Sequence, residues 1–314
     1  MEETNTSKDP LVSIICTTYN HEKYIKQALD GFVNQKTNFL FEIIVHDDAS
    51  TDTTPYILKE YENKYPNLFQ NIYREENWYS KGKNIWAFLF NKVAKGKYIA
   101  LCEGDDYWID PLKLQKQVDL LNSNDSASLI FTERIVQTET NYHDKYQKTY
   151  YNKNDLLGGL ILGVQTICFR KDAISSFYDK YSNSNINGDT LIPYLCSLNG
   201  DILCLHEETA VYRKTGFGVA TSRNPNENLK ISLNHVWNFH SYFGFPSKRL
   251  LIKAQTQYIL IDMKNNKCIN FNGVKLFFEY NKSLVDYFYF FYYLVFIFSK
   301  SFLSKMVKLI KKSN

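Results

Sequence analysis

Residues 98–106 read Tyr-Ile-Ala-Leu-Cys-Glu-Gly-Asp-Asp, an apolar run followed at once by three carboxylates. The apolar part lies between Gly96 and Gly104, which predicts a short buried strand that ends in a sharp turn. Asp110 and Pro111 then have the pattern of an N-cap and a first helical position. We therefore expect the carboxylates at the carboxyl end of a strand, where ligands bind in open α/β sheets.

The three carboxylates are Glu103, Asp105 and Asp106, and their mutual repulsion is costly unless a cation lies among them. Hard oxygen ligands suit Mg²⁺ or Mn²⁺, which take one or two carboxylates from a protein and the rest from phosphates and water. The alternative interpretation is that these acids only form the turn and cap the following helix, as short acidic motifs often do.

Two strand-and-helix units precede this stretch. Residues 11–16 are predicted to form a buried strand, and Asn20 is placed to cap the helix that follows. Residues 41–45 form a second strand that runs into a polar cluster at 46–52, and Pro55 marks the start of the next helix.

A third strand is predicted at 68–73 and a helix at 84–94. Up to residue 121 the pattern is that of an α/β fold with a mostly parallel, doubly wound sheet flanked by helices. Neither a glycine-rich dinucleotide motif nor a Walker motif follows the first strand, so a nucleotide must be held by side chains and a metal.

The composition is that of a folded protein, with 44% hydrophobic and 22% charged residues among 314. This length suffices for two domains or for one large domain with an appendage. A net charge of +4 is too small to indicate a nucleic-acid-binding protein. Six scattered cysteines predict reduced core residues of a cytosolic protein, and the polar N-terminus does not resemble a signal peptide.

Three motifs together carry a resemblance to a known family. They are VSIICTTYN at 12–20, EIIVHDDASTD at 42–52, and KGKYI at 95–99 leading into EGDD at 103–106. In this order and spacing they closely resemble the inverting family-2 bacterial glycosyltransferases of GT-A fold. The resemblance is specific up to residue 121 and looser beyond it.

The resemblance implies a single-displacement transfer from a nucleotide-diphosphate sugar, with a UDP-sugar as the first expectation. The transferred group would be of hexosyl or N-acetylhexosaminyl type. The acceptor would be a hydroxyl of a glycan or lipid-linked oligosaccharide in surface polysaccharide synthesis. Two other functions stay open: a nucleotidyltransferase of related fold, although residues 17–20 are not the glycine-rich basic loop it would carry, and a non-catalytic scaffold or binding subunit.

Carried over by motif, the resemblance places Thr17, Tyr19 and Asp48 at the nucleobase region and Glu103 at the ribose. It makes Asp105 and Asp106 the ligands of Mn²⁺ or Mg²⁺, with Asp105 as the direct one, and sets Arg213 beside the leaving diphosphate. Lys81 and Lys83 could offset the phosphate charge. Each has a plainer interpretation: Asp48 suits a turn, Thr17 and Tyr19 are loop residues, and exposed basic side chains are common.

An inverting transfer needs a general base that takes the proton of the acceptor hydroxyl. The resemblance places this acid at the start of a helix after the metal motif, and the matching residue is Asp189. Its alternative role is the N-cap of that helix, which is predicted to end at Gly200. Residues 160–170 are expected to form a strand that carries Gln165 and Thr166 near the acceptor.

The expected domain plan has four parts. They are a flexible N-terminus at 1–10, a catalytic domain at 11–223 with donor half 11–121 and acceptor half 122–223, a helical extension at 224–282, and a tail at 283–314.

The tail combines an aromatic run at 287–298 with lysines spaced among apolar residues. Its apolar run is shorter than the roughly 20 residues that a bilayer span needs. It therefore predicts an interfacial helix, and with it a cytoplasmic protein attached peripherally to the inner membrane. Packing on the protein's own core, or on a second copy in a homo-oligomer, is the alternative.

Overall fold

The computed structural model describes residues 9–157, 160–174 and 188–215, together with single residues and short groups between 231 and 292. The chain divides into two compact units. The first comprises residues 1–153, 161–183 and 187–221, and the second comprises 154–160, 184–186 and 222–314. The proposed functional residues all belong to the first unit.

The N-terminal half of the first unit alternates strands and helices up to Leu101, as the sequence predicts, and then adds a short strand at Tyr107–Trp108 that was not predicted. The strands are β1 (Val12–Thr18), β2 (Phe41–Asp47), β3 (Phe69–Tyr73), β4 (Tyr98–Leu101) and β5 (Tyr107–Trp108). The helices are α1 (Ile25–Val33), α2 (Thr54–Lys64), α3 (Ile85–Phe88) and α4 (Lys113–Ser123). A π-helical turn, Leu89–Val93, continues α3. Pro55 is within the first two positions of α2, so that predicted helix start is confirmed.

The remaining elements include two long strands and several short ones, in a less regular order. The strands are β6 (Ala127–Gln137), β7 (Tyr142–Asp144), β8 (Tyr150–Tyr151), β9 (Cys168–Arg170) and β10 (Asp201–Arg213). The helices are α5 (Lys153–Leu157) and α6 (Gly188–Asn199), and Val164–Thr166 forms one turn of 3₁₀ helix. The predicted helix after Asp189 is thus confirmed as α6.

Within the described residues, one mixed sheet joins the ten strands in the order β3-β2-β1-β4-β9-β6-β10-β5, and β7 pairs with β6 and β8 with β10. The strands β1 to β4 pair in parallel, as do β6 and β10. Between these two parallel groups lies β9, which is antiparallel to both β4 and β6. The short β9 therefore connects the donor half of the sheet to the acceptor half.

The core of the first unit lies between this sheet and its helices. Phe32 of α1 and Leu114 of α4 are fully buried against the inner strands, and the ring of Phe32 meets that of Trp108 edge-on at 4.9 Å. Burial of such a side chain contributes about 2 kcal/mol. At Gly96 a Cβ would lie 2.5 Å from the backbone nitrogen of Ser13, so this close approach admits only glycine.

Asn20 does not cap α1, contrary to the prediction. The helix begins at Ile25, and Asn20 has a φ of 55° in the left-handed region. Its side-chain Oδ1 accepts from the N–H of Thr51 at 2.7 Å, while its own N–H donates to Ser50 Oγ at 2.8 Å. Asn20 therefore joins the loop after β1 to the loop after β2. Asparagine tolerates this backbone conformation and bonds locally, which suits both roles.

The strand predicted at 160–170 is wrong over its first part, since only β9 is extended. The carbonyl of Gln165 accepts from Trp108 Nε1 at 2.9 Å, and that of Thr166 accepts from Gln117 Nε2 at 2.8 Å. Both residues are 1% exposed or less. They are buried core residues whose backbone carbonyls accept from buried side-chain donors.

Asp110 is not the N-cap of α4, because the helix begins at Lys113 with Leu112 at the cap. Its Oδ1 accepts from the N–H of Leu112 at 2.8 Å, so it stabilises the turn that precedes the helix. The five cysteines at 16, 102, 168, 196 and 204 are free and buried, which confirms their prediction as reduced core residues.

The second unit has its own apolar cluster of Leu233, Ile252, Ile259, Phe277 and Phe290. Phe290, from the aromatic run at 287–298, is 2% exposed, and its ring centroid is 4.5 Å from that of Phe277. Its neighbour Phe291 is 58% exposed. Part of the run thus packs on protein. No described helix has the length and apolar character to cross a bilayer. Most of the predicted extension and tail lies outside the described residues.

Candidate active site

The loops after β1, β2 and β4 meet at one edge of the sheet, called the carboxyl edge here. The N–H of Asp48 donates to the carbonyl of Thr18 at 3.0 Å, and the N–H of Gly104 donates to that of Thr17 at 2.9 Å. The two outer loops are therefore bonded to the loop after β1 between them. The polar residues that follow these three strands therefore meet at one edge of the sheet.

Gly104 allows the acidic turn, residues 103–106, to pass close to the loop after β1. A Cβ at this position would lie 2.8 Å from Thr18 Oγ1 and 2.9 Å from His21 Nδ1. A larger residue would push the turn outward. The glycine is therefore needed for the position of the carboxylates on either side of it.

The acids of the turn lie in an environment that resists negative charge. The pKa of Glu103 is raised to about 8, first by burial and then by the charges of Asp105 and Asp189. The side chain of Asp106 is 1% exposed, and burial together with the charge of Asp105 raises its pKa. Its Oδ2 has no hydrogen-bond partner among the described residues. Such a group is unfavourable in isolation and is stabilised by a positive ligand.

Arg213, at the end of β10, holds the acidic turn from the far side. Its backbone N–H donates to Asp106 Oδ1 at 2.8 Å, and its Nη1 donates to the carbonyl of Asp105 at 2.6 Å. Its Nη2 donates to Gln27 of α1, and the guanidinium lies 4.1 Å from the ring centroid of Tyr107. Arg213 is therefore built into the site, unlike a plain surface arginine.

The oxygen atoms of Asp105 and Asp106 fit a divalent cation whose other ligands come from a substrate. No group of three or more His, Cys, Asp or Glu side chains within the described residues could hold a metal ion by itself. Mg²⁺ and Mn²⁺ take only one or two carboxylates when phosphates complete the shell. Asp106 offers an unpartnered buried oxygen, and the Asp105 carboxylate accepts no hydrogen bond from the described residues. The two predicted ligands are thus available.

Asp189 lies in the first turn of α6, one residue inside its start at Gly188. Burial raises its pKa, while the N–H of Thr190 and the charge of Arg134 oppose that shift. Its Oδ1 is buried without a partner among the described residues. Its charge also acts on Glu103, so the acid of α6 and the acids after β4 face a common space.

Asp48 has a structural role at the donor side. Its side chain is 4% exposed, and its two oxygens accept from the N–H groups of Trp78 at 2.7 Å and Tyr79 at 2.9 Å. It therefore holds the loop that follows β3. Thr17 is half-buried and Tyr19 is 45% exposed at the same edge. The nucleobase contacts assigned to these three residues stay predictions.

Lys83 lies in a small ion cluster on that loop. Lys81 and Lys83 both pair with Glu76, and these two hydrogen bonds lower the pKa of Glu76 to about 2. The Nζ of Lys83 is also 4.9 Å from the ring centroid of Trp78. A donor phosphate would have to compete with Glu76 for this lysine.

Arg134 is a charged residue of the site that the sequence interpretation missed. It projects from β6, donates from Nε to Asp144 at 2.8 Å, and lies 5.0 Å from the ring centroid of Tyr212. Its charge opposes the rise that burial causes in the pKa of both Asp106 and Asp189. An arginine within an otherwise mostly apolar strand was the available signal, since such a charge is rarely buried without a partner.

Arg74 is a second basic residue that was missed. Its Nε donates to His46 Nε2 at 3.0 Å, and its guanidinium lies 3.5 Å from the ring centroid of Trp78. Burial and the charge of Arg74 lower the pKa of His46 to about 4, so His46 is a neutral acceptor. No short motif in the sequence marks this pair.

Comparisons with known proteins agree with this geometry. The profile described as Glycosyl transferase family 2 matches residues 13–176. The uncharacterized protein Rv1520 of Mycobacterium tuberculosis (strain H37Rv) is 37% identical over 215 residues, which cover 66% of this chain and 60% of the relative. The putative teichuronic acid biosynthesis glycosyltransferase TuaG of Bacillus subtilis is 29% identical over 172 residues, covering 53% and 65%. The chain spans less than two thirds of the length of these relatives.

Two solved structures are similar in fold. Staphylococcus aureus TarS 1–349 in complex with UDP-GlcNAc superposes with a TM-score of 0.60 at 18% identity, covering 89% of this chain and 78% of TarS. The mannosyltransferase PcManGT of Pyrobaculum calidifontis, in complex with GDP-Man and Mn²⁺, gives 0.55 at 14% identity, covering 95% and 81%. At these identities the likeness concerns the fold.

Proposed function

The chain belongs to glycosyltransferase family 2, and from this premise we propose that it is a metal-dependent, inverting enzyme that transfers a sugar from a nucleotide-diphosphate donor. The predicted GT-A fold is confirmed with the family. The observation that carries the proposal is that the charge of Asp189 acts on Glu103, beside Asp105 and Asp106, although Asp189 comes 83 positions after Asp106 in the sequence.

In the proposed reaction, the acceptor hydroxyl oxygen attacks the anomeric carbon while the bond to the diphosphate breaks on the opposite face. The Asp189 carboxylate takes the hydroxyl proton, as a general base does. Its unpartnered Oδ1 is the atom free to do so. The charge of Arg134 favours the ionised form of Asp189 against the effect of burial.

The acidic turn serves the donor. Asp105 and Asp106 would hold Mn²⁺ or Mg²⁺, which when bound neutralises the charge of the leaving diphosphate. Glu103 would accept from a ribose hydroxyl. Arg213 fixes the turn and brings a guanidinium to the same place, where it adds positive charge for the leaving group.

The relatives support the donor and acceptor classes that we propose. TarS was crystallised with UDP-GlcNAc and PcManGT with GDP-Man, so both hexosyl and N-acetylhexosaminyl donors suit this fold. We take a UDP-sugar as the first donor to test. TuaG is named for teichuronic acid biosynthesis, which supports a surface glycan or a lipid-linked oligosaccharide as acceptor.

The experiment is a panel of UDP-, GDP- and dTDP-sugars, measured by thermal shift and by release of the nucleoside diphosphate. Because a ligand of the native state raises apparent stability, one nucleotide class should raise Tm in Mn²⁺ and lose that effect in EDTA. Release should follow the same pattern. A protein that no donor stabilises, or that turns over a donor equally well in EDTA, would contradict the proposal.

The proposal extends to the membrane through the sequence of the tail. Residues 300–312 place five lysines among apolar side chains, which favours attraction to anionic lipid on the cytoplasmic face. The full chain should co-sediment with phosphatidylglycerol-containing vesicles and be released at high salt. Equal behaviour with neutral and anionic vesicles would argue that the tail packs on protein.

A further inference from the structure

A short aromatic segment lies beside the proposed base without a role in the mechanism so far. Asn84 Oδ1 accepts from the N–H of Ala87 at 2.7 Å and starts α3, none of whose four residues is buried. The chain then continues as the π-helical turn Leu89–Val93. Single π-helical turns are rare and are frequent at functional sites. The segment therefore presents partly exposed side chains from an unusual backbone.

Trp86 is the central residue of this segment, and its ring is held from one side. Its indole stacks on Phe90 with ring centroids 5.7 Å apart and planes inclined by 27°. Phe90 is 1% exposed and meets the ring of Phe169 in β9 edge-on at 5.9 Å. A buried aromatic column thus supports the indole, which itself is only partly buried.

The edge of the same indole adjoins the start of α6. A Cβ at Gly188 would lie 3.3 Å from Trp86 Nε1 and 3.4 Å from its Cδ1. The ring therefore lies next to the backbone of the residue that precedes Asp189. Nε1 makes no hydrogen bond to the described part of the chain, so this donor is available.

A flat apolar ring with one free N–H suits a sugar. A pyranose presents C–H groups on a ring face and hydroxyls around its rim, so an aromatic face can cover the first while a polar group orients the second. Asp189 would then meet a hydroxyl of a sugar already held against Trp86. The donor half supplies the platform and the acceptor half supplies the base.

We propose that Trp86 is the stacking residue of a pyranose subsite beside Asp189, with Nε1 donating to a ring hydroxyl. The inference rests on the proposed function in taking Asp189 as the base. The bound pyranose is either the sugar being transferred or the terminal sugar of the acceptor, since both must lie within reach of Asp189.

The test uses the full chain labelled with 5-fluorotryptophan and ¹⁹F NMR. The sequence has four tryptophans, and Trp86→Phe assigns the signal of Trp86. The first set of probes comprises the methyl pyranosides of glucose, galactose, mannose and N-acetylglucosamine. The second set comprises UDP-GlcNAc and GDP-Man with Mn²⁺, and UDP and GDP with Mn²⁺ are its sugar-free controls. We expect a sugar-bearing probe to shift the Trp86 signal where UDP and GDP alone do not. If only the nucleotide sugars shift the Trp86 signal, the subsite holds the transferred sugar. If the methyl pyranosides shift it, the subsite holds the terminal sugar of the acceptor.

Variants provide the second measurement. Trp86→Ala should weaken binding of that probe about tenfold, and Trp86→Phe should weaken it less because a ring is kept. Tyr56→Ala is the matched control, since Tyr56 is a 75% exposed aromatic residue of α2. No shift with any sugar-bearing probe, or unchanged binding by Trp86→Ala, would overturn the subsite.

The two proposals fail in different ways. If a methyl pyranoside shifts the Trp86 signal but no nucleotide sugar is turned over, the transferase function fails and the subsite stands. If turnover is found and Trp86→Ala leaves the KM of both donor and acceptor unchanged, the subsite fails and the transferase stands.

Discussion

The side-chain oxygens of Asn20 and Asp48, after β1 and β2, are satisfied by hydrogen bonds from the protein, whereas carboxylate oxygens after β4 and at the start of α6 are not. Asn20 Oδ1 accepts from Thr51, and both oxygens of Asp48 accept from backbone N–H groups. In contrast, Asp106 Oδ2 and Asp189 Oδ1 are buried without partners among the described residues. The Asp48 carboxylate on one side of the carboxyl edge is thus bonded by protein donors, and the acids on the other side have unmet charge.

The presence or absence of a hydrogen-bond partner separates groups that stabilise the fold from groups that can bind a ligand. A satisfied buried hydrogen bond contributes about 1 kcal/mol, and a buried polar group without a partner costs about 1–3 kcal/mol. Changes among the satisfied groups should therefore lower stability. Changes among the unsatisfied carboxylates should lower activity and leave stability unchanged or higher.

The largest effect is expected for Asp189→Asn. Loss of a general base should reduce the rate of sugar transfer about 10³-fold, while the amide keeps the size of the side chain. The urea midpoint should not fall, because a buried charge has been removed. The measurements are the transfer rate and urea unfolding. Transfer within tenfold of the wild-type rate would show that Asp189 is not the base.

Asp105→Asn should reduce Mn²⁺-dependent release of the nucleoside diphosphate about a hundredfold, since the amide is a weaker ligand for a hard cation. Thermal stabilisation by the donor with Mn²⁺ should be lost as well. Asp119→Asn, on the exposed face of α4, is the control and should behave as wild type. Equal loss in both variants would point to a general effect of charge.

In β2, His46 should make stability depend on pH. Its folded pKa of about 4 lies below the ordinary value of 6.5. Between these values the unfolded chain binds more protons, so unfolding becomes easier as the pH falls, by about 2 kcal/mol from pH 7 to 4.5. Urea unfolding across this range measures it. His46→Gln should remove this part of the slope, and an unchanged slope would exclude His46 as its source.

The smallest effect is expected for Asn20→Gly, at about 1 kcal/mol of unfolding free energy. The variant loses the bond to Thr51 but keeps an easy left-handed backbone. Asn20→Ala should be less stable than Asn20→Gly, because alanine resists a φ of 55°. The reverse order in urea unfolding would show that the loop has rearranged. Donor KM should rise in both variants if the loop holds the nucleotide.

Local patterns were sufficient for β1 to β4 and the helices between them, for the existence of α4 and for the start of α6, but not for β5. Apolar runs, Pro55 and the acid after Gly188 are short-range signals of strands, helix starts and first-turn charges. The same signals misled at Asn20 and at 160–170. An asparagine before a helix has the same local pattern whether it caps that helix or bonds another loop, and an apolar run suits a strand or a buried turn equally.

By itself, the sequence determined that acids follow strand ends and that an acid begins a helix beyond them, because periodicity and turn chemistry act over a few residues. Only the tertiary structure decided which of those acids keep unmet charge. Asp48 is satisfied by Trp78, 30 positions away, and Asp106 by Arg213 at one oxygen alone, 107 positions away. Such partners are set by the order of strands in the sheet, where β9 brings the two halves together, and no local pattern encodes that order.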